Sequence, residues 1–482
     1  MVFSSIVFLV CFLPTTIILY YIVPSIKWKN LLLLISSLLF YAWGEPIYVL
    51  LMIASIIANY FFGRLIHSLK QKGARGVART FLLFALLFNL GLLLYFKYFN
   101  FLIDVFNKIS SLHISIKEIA LPIGISFFTF QGMSYVIDVW RDNPKNAEES
   151  VVQKNIIDLA MYIAMFPQLI AGPIVRYHDI RRFLRERRHS FDQFSRGIEV
   201  FVYGLAKKVL IANTLGQTVD AIMISNVNYI NAPIAWLGTI CYSLQLFFDF
   251  YGYSQMAIGL GKMFGFEFQK NFDYPYSSFS ITDFWRRWHI SLSQWFRDYL
   301  YIPLGGSRKG NVYFNLLIVF IATGVWHGAG FGFLIWGLWH SLFVILERFI
   351  RNHHLIRIRI PKVLKWFYTM FVVLIGWTLF KLVDLRAFIY YFEIMFGIVR
   401  PTFVSMTLRY YLDARTVFML IAATLCCIPW QRIISSRFKI NGKKTLVFST
   451  QIVRRVFVIV LLVLCYLFIS NSKYNPFIYF RF

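Results

Sequence analysis

Residues 311–349 read "NVYFNLLIVFIATGVWHGAGFGFLIWGLWHSLFVILERF". The stretch follows Lys309 and closes on Arg348, and basic residues at both ends place those ends on one face of a bilayer. A helix over 312–326 spans about 22 Å at ~1.5 Å per residue, short of the ~30 Å hydrocarbon core. The chain must therefore enter, break at "HGAG" and return. That puts His327 at a helix break inside the membrane, nearer the far face. An ionisable side chain at such depth marks a functional position.

Working outward, other apolar stretches repeat along nearly the whole chain, among them "SIVFLVCFLPTTIILYYIV" (5–23), "FLLFALLFNLGLLLYF" (81–96) and "RVFVIVLLVLCYLFI" (455–469). The 482 residues are 59% hydrophobic and only 15% charged, whereas soluble domains carry about 25% charged residues. The class is an all-α polytopic membrane protein. The first apolar stretch has no basic leader or small-residue cleavage site and is expected to be a retained helix.

The net charge of +27 raises the question of nucleic acid. The basic residues, however, cluster in short loops such as "KQKGARGVAR" (70–79) and "RYHDIRRFLRERR" (176–188), the pattern of cytoplasmic loops. Nucleic acid is excluded as a partner, and membrane lipids are the expected surroundings. Placing these loops inside gives about twelve crossings or part-crossings, with both chain ends outside. A second stretch resists simple spanning. Arg141 and Arg176 both belong inside, yet the apolar run between them is interrupted by "FPQLIAGPI" (166–174), which predicts a re-entrant or broken helix. The five cysteines lie in apolar segments without metal-ligand spacing, so no metal is expected.

Three segments carry candidate chemistry. His327, flanked by glycines, leads: imidazole moves protons near neutral pH, and glycine lets a substrate approach closely. His289 lies in "ITDFWRRWHISLSQWFRDYLYIPLGG" (281–306), which reads as one amphipathic helix along the interface, suited either to an anionic donor carrier or to a headgroup belt. Asp249 lies in "LFFDFYGYSQMAIGLGKMFGF" (246–266). A carboxylate at that depth needs partners, and Tyr251, Tyr253, Ser254 and Gln255 are the nearby candidates. His340 reads as a packing or supporting residue. No G-x-S-x-G elbow, P-loop or H-E-x-x-H helix is present.

Together "FPQLIAGPIVRY", the 246–266 segment, "NFDYPYSSFSITDFWRRWHISLSQWFRDYLYIPLGG" (271–306) and "GVWHGAGFGFLIWGLWH" (324–340) resemble the membrane-bound O-acyltransferase superfamily. The resemblance runs over the whole chain and is nearest to the bacterial alginate O-acetyltransferase branch, which includes peptidoglycan and exopolysaccharide O-acetylation subunits. It implies a ring of tilted, broken helices around a central tunnel, as one transmembrane domain over 1–482 in a bacterial inner membrane. It also implies catalytic roles for His327 and His289, with acetyl-CoA as the cytoplasmic acyl donor.

The last residues, "NPFIYFRF" (475–482), read on their own as an interfacial anchor. The resemblance adds another reading, an extracytoplasmic acyl-acceptor tail with Tyr479 as acceptor and Arg481 helping to fix it. Tyr479 would hand the group to an external serine-type, SGNH-like O-acetyltransferase acting on polysaccharide. Two alternatives stand beside this: D-alanyl transfer from an acyl carrier protein to teichoic acid, and a non-catalytic export scaffold.

Overall fold

The computed structural model describes residues 1–110, 114–115, 118–143, 150–170, 172–225, 229–355, 358, 360–401, 403–404, 406–430, 432–433, 444–472, 474–476 and 478. Every regular element among the described residues is a helix. Five of them are long and apolar enough to cross a membrane: Tyr48–Gln71, Arg75–Ser110, Phe331–Asn352, Lys362–Lys381 and Gln451–Asn471. Shorter apolar helices are Val7–Ile22, Val312–His327 and Ala414–Cys426. The sequence pattern suggested about twelve crossings or part-crossings at ~20 residues each. The difference lies in helices that are short, broken or threaded with polar side chains.

Two compact units divide the chain. The first comprises Met1–Phe201 with Met256–Gln269, the second Val202–Gln255 with Lys270–Phe482.

In the first unit the helix Ile125–Arg141 is buried over most of its length. It packs closely because two positions have no room for side chains. A Cβ on Gly132 would lie 2.6 Å from Asn59 Nδ2, and one on Gly63 would lie 2.6 Å from the Tyr135 ring. Asn59 and Asn89 exchange hydrogen bonds at 3.2 and 2.9 Å, joining helices Tyr48–Gln71 and Arg75–Ser110 by amides. The break expected near residue 166 is present. Helix Ile156–Ala164 ends, Met165 turns out to φ −54° and ψ 114°, and Phe166–Leu169 forms one further turn. The Phe166 N–H donates to Ser37 Oγ at 3.0 Å and Gln168 Nε2 to the Tyr162 carbonyl, so side chains serve the interrupted backbone. In the arginine-rich helix Tyr177–Arg185, His178 lies between Asp138 and Asp179, whose carboxylates push its pKa up to about 9.

In the second unit the 311–349 stretch behaves as its length requires. Asn311 Oδ1 accepts from the N–H groups of Tyr313 and Phe314 and starts helix Val312–His327. That helix stops at His327, the glycines pass in extended conformation, and Phe331–Asn352 begins. The two arms touch backbone to backbone. A Cβ on Gly324 would lie 2.4 Å from the Phe333 carbonyl oxygen, and one on Gly337 would lie 2.5 Å from that of Phe320.

This contact yields a direct test. Gly324→Leu forces a side chain against a carbonyl that cannot swing away and should lose about 1–3 kcal/mol or fail to fold. Gly91→Ala, where a Cβ meets nothing within 4 Å, should be neutral or slightly stabilising. Thermal unfolding of both variants in detergent measures the contrast.

Candidate functional site

The site is built in the second unit, and its first element is a forced turn at His289. Helix Ile281–Arg287 is capped by Ser280, whose Oγ accepts from the Asp283 N–H at 3.0 Å. Glu347 also accepts from the N–H groups of Ile281 at 2.6 Å and Thr282 at 2.9 Å. The chain then leaves the helix at Trp288, and His289 takes φ 45° and ψ 55° before Ile290–Phe296 starts. The single amphipathic helix expected over 281–306 is therefore two short helices. The cause is Asn271. Its carbonyl accepts from the Ile290 N–H at 2.9 Å, and its Oδ1 accepts from the Ser291 N–H at 3.2 Å and from Ser291 Oγ at 2.9 Å. A left-handed residue supported by three such bonds is held against its intrinsic preference. Trp288 and Trp295 are buried in the unit and form no headgroup belt.

Asn271 also sets the chemistry of the ring. His289 Nδ1 lies 3.1 Å from the same Oδ1. Because that oxygen already accepts from a backbone N–H, it is an acceptor, and Nδ1 must carry the proton. The lone pair then resides on Nε2, the nitrogen available to act as a base. Phe250 meets the ring edge to face, with centroids 4.6 Å apart.

His327 is buried among Trp326, Trp336 and Phe380, with ring centroids at 5.0, 5.1 and 5.2 Å. Trp326 also neighbours His289, at 6.2 Å. The two histidines thus share one indole between them. His340 lies farther along, beyond Trp336 at 5.2 Å, and packs on Trp285 at 5.0 Å. Gly376 leaves space for it, since a Cβ there would lie 2.6 Å from His340 Nε2. Among the described residues neither nitrogen of His340 has a hydrogen-bond partner, which fits a packing residue.

Asp249 differs from its sequence reading. Its carboxylate pairs with Lys208 Nζ at 2.6 Å, both side chains being 2% exposed. It also accepts from the Ile478 N–H at 2.9 Å. Tyr253 and Ser254 are buried one turn along on the same helix, Ala232–Met263. Gln255 accepts instead from Lys207 at 2.7 Å and donates to Tyr251 at 3.2 Å. Lys208 was not singled out from sequence, although "GLAKKVL" (204–210) places two lysines inside an apolar run, a signal of buried partners. Gly252 allows the pairing: a Cβ there would lie 2.7 Å from the Gly204 carbonyl oxygen and 3.3 Å from Lys208 Cβ.

The segment before Tyr479 is held in the same place. Lys208 Nζ donates to the Pro476 carbonyl. Asn213 Nδ2 donates to the Tyr474 carbonyl at 3.4 Å and to Asn475 Oδ1 at 3.3 Å. The Tyr474 hydroxyl donates to Asp220 at 2.6 Å, and Asp220 in turn meets Lys381 at 3.5 Å. Tyr479 and Arg481 lie outside the described residues. Among those described, no group of three or more His, Cys, Asp or Glu residues is placed to hold a metal.

Residues 80–386 match the model of the membrane-bound O-acyltransferase family, MBOAT. The chain is 44% identical to the probable alginate O-acetylase AlgI of Pseudomonas aeruginosa, over 82% of this chain and 75% of that protein. It is 39% identical to the protein of that name from Pseudomonas putida, over 100% of both. It is also 34% identical to the peptidoglycan O-acetyltransferase of Helicobacter pylori, over 80% of this chain and 78% of the relative.

The role of Asn271 predicts a graded outcome. Asn271→Ala strips an acceptor from buried donors and should lose about 1–3 kcal/mol of stability, with a larger proportional loss of donor turnover as His289 loses its fixed tautomer. Asn271→Asp keeps the acceptor and should retain more of both. Thermal unfolding and donor-turnover assays on the two variants check this.

Proposed function

Because the chain belongs to the membrane-bound O-acyltransferase family, we propose that it carries acetyl from cytoplasmic acetyl-CoA to Tyr479. From there the group passes to a serine-type O-acetyltransferase outside a bacterial inner membrane, which acetylates a secreted or cell-wall polysaccharide. That the chain is an O-acyltransferase is the premise; the route and the partner are the proposal. Support for the route comes from one observation. The segment leading to Tyr479 is gripped by buried side chains of the same unit that holds His327 and His289.

In this scheme His327 removes the phenolic proton as the Tyr479 oxygen attacks the thioester carbonyl. The C–S bond breaks, and the departing CoA thiolate takes the proton back from the imidazolium. The acetyl group then sits on a phenol of pKa ~10, a far better leaving group than a sugar alkoxide. Attack by an external serine releases the phenol and reloads the cycle, so one difficult transfer becomes two easier ones. His289, with its Nε2 lone pair, serves the donor side. The alginate and peptidoglycan acetylation of the relatives makes a polymer of that class the expected final acceptor.

Purified protein given labelled acetyl-CoA should show the label on its C-terminal peptide by mass spectrometry. Tyr479→Phe should abolish it. His327→Ala should slow loading by about 10²–10⁴-fold at normal protein levels. Replacing His289 should impair loading yet spare transfer from a preloaded tail. Donor turnover at the wild-type rate by Tyr479→Phe would remove the covalent role.

A further inference from the structure

We propose that the buried Lys208–Asp249 pair is a main-chain clamp for the C-terminal segment, and that both residues are positioning residues of the transfer reaction. The inference rests on reading Tyr479 as the acyl carrier, and it assigns the task of placing that carrier.

The geometry of the pair is the starting point. Lys208 lies in the wide π-helical turn Lys207–Ala212, and Asp249 on the helix that meets it at Gly252. Their charges are 2.6 Å apart, each side chain 2% exposed. A buried ion pair kept only for stability is weakly justified, since apolar residues of equal volume do as well or better. Such a pair is expected where the charges also face something else. Here both do. The ammonium donates to the Pro476 carbonyl, and the carboxylate accepts from the Ile478 N–H.

The two contacts are complementary in kind and two residues apart along the segment. They read backbone alone, and charge-assisted hydrogen bonds to a main chain are strong and directional. Proline at 476 adds a fixed φ, which lowers the entropy lost when the segment docks.

A second hold secures the same segment further back. Tyr474 donates to Asp220, which meets Lys381, and Asn213 reaches the Tyr474 carbonyl. Backbone is thus fixed on both sides of residue 475. Ile478 directly precedes Tyr479 in the sequence, so the clamp ends on the residue before the acceptor. Restricting a nucleophile in this way replaces a search by an almost unimolecular approach. The clamp therefore acts on the frequency of attack and leaves donor affinity alone.

The test uses the full chain in lipid nanodiscs. Exchanging the charges, Lys208→Asp with Asp249→Lys, keeps an opposite-charge pair but presents an acceptor to a carbonyl and a donor to an N–H. The apolar double variant Lys208→Met with Asp249→Leu removes the charges and, from the behaviour of buried pairs, is expected to fold. Lys208→Arg keeps the donor. Amide exchange of the C-terminal peptide reads docking, and acetyl label on it reads loading. Both double variants should exchange about tenfold to a hundredfold faster over 474–478 and load with kcat reduced to a similar degree. KM for acetyl-CoA should stay near wild type, and Lys208→Arg should recover part of the loading. Folded double variants with wild-type protection of the tail would overturn the clamp. If the wild-type chain never accumulates label while the exchanged pair still releases the tail, the carrier reading fails and the clamp stands.

Discussion

A lysine and an aspartate are buried together in the second unit, Lys208 against Asp249, 2.6 Å apart and each 2% exposed. Removing either partner leaves a charge in a low-dielectric interior, a loss of about 3–5 kcal/mol. The pair therefore forces close approach of the segments that bear it, and glycine at 252 is what makes that approach possible. Each member also bonds the chain's own C-terminal segment. Fold and proposed chemistry meet in this one contact.

The histidines obey a related rule. Buried backbone that leaves helical geometry must find other partners, and two of the breaks are served by side chains. Asn271 supports the turn at His289, and Ser37 and Gln168 serve the break at Met165. The hairpin at His327 closes because Gly324 and Gly337 let two helices touch. Aromatic rings pack around both imidazoles. The Asn271 oxygen beside Nδ1 then gives the buried His289 ring a defined tautomer.

What could be read from sequence follows from the range of each interaction. The break at 327–330 was legible because it needed only helix rise, bilayer thickness and local glycines. The interruption near 166 was legible for the same reason. The turn at His289 was not, since a run of aromatic and basic residues at helical spacing looks continuous, and Asn271 acts on it from a separate segment. Asp249 stands out as a buried carboxylate, yet proximity in sequence points to the polar residues beside it. Its actual partner lies on another helix, and nothing local announces such pairing except two lysines within an apolar run. That the tail is an acyl acceptor was read only from likeness to a family. The residues that hold it became visible only in three dimensions, and Tyr479 and Arg481 lie outside the described residues.

The most direct measurement places one cysteine at Asn213 and one at Asn475, whose amides lie 3.3 Å apart, in a chain whose own five cysteines are replaced. If the C-terminal segment docks beside the buried pair, a short bifunctional thiol crosslinker, long enough to span the two side-chain lengths that a disulfide cannot, joins them in nearly every molecule. Free thiols persisting in folded, donor-active protein would contradict the account at its base.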